Sequence, residues 1–129
     1  MNYMQNQVKR FMLKQEQEIP QTLTWPDIKT LQLRCDLVTE EVNELIEACT
    51  DQDMVGVIDA LCDILYVGFG FSITLGIDIE TFFNEVHLSN MSKDGGKDYF
   101  GKVMKGNAYF PPGIKRIFDD ITRDGGKIT

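Results

Sequence analysis

A chain of 129 residues is long enough for one domain with a real core and too short for two comfortable ones. Its 43% hydrophobic and 26% charged residues are ordinary for a globular protein and argue against wholesale disorder. A net charge of -7 disfavours binding to nucleic acid or to an acidic membrane, because both reward a cationic surface.

The N-terminus (MNYMQNQVKRFMLKQ) is polar and amphipathic, unlike a signal peptide. Residues about 3–17 are expected to form a first helix with Val8, Phe11 and Met12 on its apolar side. Two prolines and turn-prone residues make Glu18–Pro26 a loop. A long helix then starts near Pro26-Asp27, with the proline at an early position, and runs to about Cys49. After the polar connection Thr50–Asp53, the next helix runs to about Leu75 and stops at Gly76. Asp78 is the expected N-cap of a further helix ending near Asn90, with Glu80 in its first turn.

Beyond Met91 the character changes. Ser92–Gly113 holds five glycines and two prolines, which predicts loop or a short hairpin. A last short helix is expected over Ile114–Ile121, and a frayed end over Thr122–Thr129. No repeat or low-complexity tract is present. The reading is therefore all-α, a single domain over 1–129 with a helical core at about 27–91 and a tail at about 92–121.

The stretch Met54–Leu75 is long and mostly apolar, but Asp59 and Asp63 stand near its middle. Each acid at mid-bilayer costs roughly 2.5–3.5 kcal/mol, so a buried core helix with functional acids is the better expectation, with no membrane partner. Cys35, Cys49 and Cys62 are odd in number and lack CxxC spacing. They are expected to be buried, reduced thiols of a cytoplasmic protein.

Two acidic clusters carry the chemistry: Glu40-Glu41-x-x-Glu44 on one helix and Asp59-x-x-x-Asp63 on the next. On a helical wheel Glu40, Glu44 and Glu47 fall in a narrow arc with Leu33, Leu37 and Ala48, and Glu41 lies at its edge. The opposite side, with Leu31, Cys35, Val38, Val42, Leu45 and Cys49, is the expected core stripe. On the second helix Asp59, Asp63, Tyr66 and Gly70 form a line through otherwise apolar surface, so these acids are expected to be largely buried. Buried carboxylates need a cation, a basic partner or a shifted pKa, and only Lys29 and Arg34 are basic nearby. Hard oxygen ligands without nitrogen or sulfur partners suit Mg2+ or Mn2+. A helix-bundle di-iron site would need Glu-x-x-His pairs, whereas the single histidine, His87, follows Glu85 by two. Glu47 reads as simply solvated.

A second constellation ends the fourth helix, Glu85-Val-His-Leu-Ser-Asn-Met-Ser-Lys93, and leads to Lys97, Lys102, Lys105, Asn107 and Tyr109. Lysines on loops are suited to phosphate oxygens when they accompany a metal site.

The helix pair VTEEVNELIEA and VIDALCDILYVGFG resembles the all-α nucleoside triphosphate pyrophosphohydrolases of the MazG and phosphoribosyl-ATP pyrophosphohydrolase-like superfamily. The continuation LGIDIETFFNEVHLSNMSK and KVMKGNAYFPP resembles more narrowly a MazG-like subgroup that includes dimeric all-α dUTPases, and the likeness runs from about residue 30 to 113. The resemblance implies a MazG-like bundle that attacks with metal-activated water between the α- and β-phosphates, giving a monophosphate and pyrophosphate. It implies Glu41, Glu44 and Asp63 as Mg2+ (or Mn2+) ligands, with Glu40 binding a second ion or orienting the attacking water. Glu40 and Glu41 are the expected catalytic residues, and Asp59 is kept as a metal ligand because its spacing of four from Asp63 faces both the same way. Asn90 and Lys93 would approach the phosphates or sugar, and Lys105 and Tyr109 would close over them. One departure stands out: the superfamily's ExxD would place Glu at position 60, where this chain has Ala60 and carries Asp59 one residue earlier.

The expected function is a cytoplasmic, metal-dependent (d)NTP pyrophosphatase, with dUTP the first substrate to try, working as a homodimer or homotetramer. The alternatives are phosphoribosyl-ATP hydrolysis and a non-catalytic helical module that binds metal or a basic partner.

Overall fold

The computed structural model describes residues 1–123. It contains α1 (Tyr3–Lys14), α2 (Ile28–Thr50), α3 (Met54–Thr74), α4 (Ile79–Met91) and α5 (Ile114–Arg123), with no strand among the described residues. The expected end of the chain beyond Arg123 lies outside the described residues. Among the described residues the contacts divide the chain into two units, Met1–Asp78 and residues 79–123. The first unit thus takes in α1 and leaves out α4, whereas the sequence draws the core at about 27–91.

Local chemistry explains the helix ends. Asp27 is the N-cap of α2 and accepts from the Thr30 N–H at 2.8 Å, a bond that lowers the Asp27 pKa. Pro26 therefore precedes the cap and stands outside the helix. Asp53 caps α3 in the same way, accepting from Gly56 N–H at 3.0 Å. The reversal between α2 and α3 needs one left-handed residue, Gln52 at φ 54, and the Asp53 N–H closes it onto Ala48 C=O at 2.9 Å.

α3 is the spine of the first unit, and both α1 and α2 pack on it. Against α1 the core is Val8, Met12 and Ile73, with Ile19 and Phe69 half-buried around it. Gln5 is fully buried and ties the helices together, its Nε2 donating to Ser72 Oγ at 2.8 Å and Ile77 C=O at 3.0 Å. Phe11, expected on the apolar side of α1, lies exposed and meets Tyr66 edge-on, with ring centroids 5.7 Å apart.

The α2–α3 seam has a fixed antiparallel register. A Cβ on Gly56 would lie 3.1 Å from Ala48 Cβ, and one on Gly70 would lie 2.8 Å from Arg34 Nη1. Glu41 feels the charge of Asp63, and Thr30 and Thr74 line one cavity. The two position numbers have the same sum in all four pairs, as a regular antiparallel hairpin requires. Ala48 and Ala60 are buried on this seam. Small residues let the helix axes approach.

Two expectations fail here for one reason. α3 is long and apolar enough to cross a membrane, yet only 11% of its most apolar stretch is buried. Val55, Ile58, Leu61 and Leu65 are exposed, and so are Cys35, Cys49 and Cys62. α3 is apolar on more sides than the two helices packed on it can cover. The stripe expected as the core of α2 likewise leaves Cys35, Val42 and Cys49 exposed, because the acid-bearing arc, not its opposite, faces α3.

The second unit contains α4, α5 and the segment between them. Arg116 pairs with Glu85 at 2.7 Å, and Gly113 N–H donates to the other oxygen of Glu85 at 3.3 Å. The glycine-rich stretch is a short hairpin, with one antiparallel bridge between Lys97 and Val103.

Two glycines of the first unit should respond oppositely to alanine. Gly76 has φ +74, and a Cβ there would strike Thr22 C=O, whereas Gly68, inside α3, has open space around it. Gly76→Ala is expected to destabilise by roughly 2 kcal/mol or more. Gly68→Ala is expected to stabilise by roughly 0.5–1 kcal/mol. Urea unfolding of both variants checks this, and equal effects would contradict the placement of either residue.

Candidate active site

The acids gather where α2 and α3 face one another, about midway along both helices. Carboxylate oxygens of Glu40, Glu41 and Glu44 all lie within 4.8 Å of one another. The i, i+3 and i, i+4 spacings stack them on one side of α2. Glu40 and Glu44 are exposed, while Glu41 is half-buried and looks into the seam toward Asp63, itself half-buried on α3.

Glu41 bears the electrostatic load. Burial pushes its carboxyl up from an ordinary 4.5 to about 7, helped by a hydrogen bond with Glu44 and the charges of Asp63, Glu44 and Glu40. Its Oε2 is buried and has no hydrogen-bond partner. A buried carboxylate oxygen without a donor, amid three further acids, is the arrangement a hard divalent cation satisfies. The donor set is all oxygen and fits Mg2+ or Mn2+; the carboxylates that the geometry brings within reach of one ion are Glu40, Glu41 and Glu44, while Asp63 acts on Glu41 through its charge.

Asp59 stands elsewhere than its one-turn spacing from Asp63 implied. It is exposed and lines a cavity of about 230 Å3 with Glu44, Glu47, Asp51 and Asp53. The expected burial of an Asp59/Asp63 stripe is thus corrected: one acid is half-buried and the other is open to solvent. Position 60, where the superfamily would place Glu, is 2% exposed and packs in the seam. Glu47, read as solvated, is exposed on the rim of the same cavity.

Arg34, one of the two basic residues near the acids in sequence, has a different role. Its Nη2 donates to Gln17 Oε1 at 3.2 Å, its Nε is buried without a partner, and burial lowers its pKa. It lies against Gly70, two helical turns or roughly 10 Å along α2 from Glu41. It therefore does not neutralise the acid cluster.

In the second unit Lys93 and Lys105 line one cavity of about 340 Å3, together with Lys102 and Asp98. Lys105 Nζ sits over the Tyr109 ring, 4.8 Å from its centroid. Asn90 is exposed on α4 and does not line that cavity. The serines of SNMSK have a holding role that the sequence reading missed. Ser89 Oγ donates to Phe110 C=O at 2.8 Å, and Ser92 Oγ accepts from Phe110 N–H at 3.0 Å. The motif thereby anchors the Tyr109-Phe110 segment beside α4.

A profile of the phosphoribosyl-ATP pyrophosphohydrolase family matches residues 6–90. The chain belongs to this family. The family is part of the all-α, MazG-like NTP pyrophosphohydrolase superfamily, and the helical architecture agrees with it. The matched stretch covers all the acids and Asn90 and ends before Lys93. An uncharacterized protein of Acanthamoeba polyphaga mimivirus is 40% identical over 97 residues, which make up 73% of this chain and 38% of the viral one. The chain thus spans well under half the length of that relative.

The raised Glu41 pKa sets a pH dependence. Below about 4.5 the carboxyl is protonated in folded and unfolded states alike, and the folded site does not repel itself. Between about 4.5 and about 7 only the unfolded chain releases this proton, so Glu41's contribution to stability is lost as pH rises through that window. Divalent cations need the carboxylate, so their affinity should rise through the same window. The expected result is a metal-free protein whose Tm falls over this range while the increment from added Mn2+ grows, with Glu41→Gln flattening both trends. A Mn2+ increment independent of pH would show that Glu41 is no ligand.

Proposed function

We propose that the chain is a divalent-cation-dependent pyrophosphohydrolase that cleaves a nucleoside triphosphate between its α- and β-phosphates, releasing the monophosphate and pyrophosphate. The observation that carries this is the half-buried Glu41, with one unpartnered carboxylate oxygen, inside a group of four acids drawn from two facing helices. Membership of a family described by phosphoric anhydride cleavage supports it. Phosphoribosyl-ATP remains the second substrate reading, on that same description.

Glu41, Glu44 and Asp63 would hold Mg2+ or Mn2+, and the ion would supply charge to offset what develops on the phosphates. Glu40 is exposed beside Glu41 and Glu44, and in this reading it would orient the attacking water and take its proton. Lys93, Lys102 and Lys105 share a cavity that suits phosphate oxygens, and Tyr109 braces Lys105. Asn90 offers an exposed amide for the sugar or a phosphate. Base choice is the least constrained feature, and dUTP is the first substrate to try.

The protein acts in the cytoplasm, where three exposed free thiols stay reduced. It works as a homodimer or homotetramer, because the uncovered apolar stripe of α3 (Val55, Ile58, Leu61, Leu65) is spaced for helix packing. Lipid is a poor cover for that stripe, since Asp59 and Asp63 sit on the same helix.

A panel of NTPs, dNTPs and phosphoribosyl-ATP with Mg2+ or Mn2+, scored separately for pyrophosphate and phosphate, tests the reaction. Pyrophosphate release is expected, with Glu44→Gln and Asp63→Asn each lowering kcat on the order of a hundredfold or more while circular dichroism is retained. Phosphate as the sole inorganic product would sink α–β cleavage. No turnover of any substrate would favour a binding module.

A further inference from the structure

The tip of the hairpin in the second unit exposes two aromatic rings that the proposed chemistry does not use. Tyr99 is 95% exposed and Phe100 89%. Their rings meet edge-on with centroids 5.2 Å apart. The turn that carries them is firmly built. Asp98 N–H donates to Lys102 C=O at 2.9 Å, and Gly101 N–H donates to Asp98 C=O at 3.0 Å with Gly101 at φ +83. Asp98 Oδ1 accepts from both the Phe100 and Lys102 N–H groups, each at 2.9 Å. Met104 N–H donates to Gly96 C=O at 2.8 Å, and the Lys97–Val103 bridge closes the base.

Aromatic residues on a braced turn lose little conformational freedom on docking, and such residues are the usual anchors of interfaces. Charge narrows the choice of partner. Residues 92–113 carry four lysines against two aspartates, and Lys97 and Lys102 flank the tip. The first unit carries thirteen acidic against five basic residues and leaves the apolar stripe of α3 uncovered. A cation-flanked aromatic tip complements an acid-rich helical surface with apolar patches, and every copy of this chain carries both.

We propose that the Tyr99–Phe100 hairpin docks on the first unit of a second copy of this chain. The inference rests on the homo-oligomer reading above and adds the element that makes the contact. Each ring buries roughly 150–250 Å2, so two hairpins exchanged across a twofold axis cover roughly 600–1,000 Å2. That is about half of a standard interface, and the helical faces supply the remainder.

Sedimentation equilibrium of the full chain, with and without Tyr99→Ser/Phe100→Ser, tests this. Both side chains are exposed, so the fold should be retained by circular dichroism. The double variant is expected to weaken self-association at least tenfold, and Lys97→Glu/Lys102→Glu to weaken it in the same direction. Unchanged self-association would overturn the hairpin's role and leave the oligomer reading standing. A wild-type chain that stays monomeric would overturn both, while pyrophosphate release would still judge the enzymatic reading separately. Co-sedimentation with anionic phospholipid vesicles, lost in the double variant, would also overturn the proposal by making lipid the occupant.

Discussion

The crowding of like charges on the α2–α3 seam is the constraint around which the first unit is organised. Glu40, Glu41 and Glu44 come together on α2, and Asp63 faces Glu41 from α3. Without a cation the cheapest answer is to keep a proton on Glu41, and its pKa near 7 expresses that compromise. The seam therefore cannot supply much stability where it gathers the acids. The small residues Ala48, Gly56 and Ala60 bring the helices close, and the carboxylates keep the contact from being an apolar core. Stability comes from the other end of α3, where Val8, Met12 and Ile73 pack and Gln5 satisfies Ser72 and Ile77. Separating the strained end from the packed end lets one helix serve both purposes.

Much of this was legible in the sequence because the signals were local. Caps and breakers mark the helices: Asp27 and Asp53 begin α2 and α3, and Gly76 ends α3 within a residue of expectation. The i, i+3 and i, i+4 spacing of Glu40, Glu41 and Glu44 suffices to bring them together, since a helix admits no other arrangement. What failed depends on neighbours that a wheel does not contain. The wheel could not tell which side of α2 meets α3, and it named as core the stripe that leaves Cys35 and Cys49 exposed. Hydropathy made α3 a buried helix, but burial needs enough partners, and one chain provides two.

Position 60 shows how a motif departure reads once the register is known. Pairing by the seam's register puts Ala60 opposite Glu44, and the residue is nearly inaccessible. A side chain as small as alanine lets α2 and α3 close there, and a glutamate would have to displace that contact or the helix. Asp59, one step around α3, points to the exposed cavity it shares with Glu44 and Glu47. Glu44 thus belongs both to the tight cluster with Glu40 and Glu41 and to the wider acidic cavity. Among the acids it is the one whose environment is shared, which makes its substitution the most informative about how the two groups communicate.

The uncovered apolar surface and the segregated charge point to the same physical requirement. Acids concentrate in the first unit, while lysines punctuate the segment between α4 and α5. On the proposed function, a polyphosphate substrate would need cations, and in a chain of net charge -7 a recruited metal and the lysines of that segment are the groups that would supply them. Exposed Val55, Ile58 and Leu65 on α3 meanwhile cost free energy in water in proportion to their apolar area. The proposed self-association would relieve that cost without adding charge to the acidic cluster. In the proposed function, the hydrophobic effect that folding leaves unsatisfied would drive assembly, and the electrostatic strain that folding leaves unsatisfied would bind a cation.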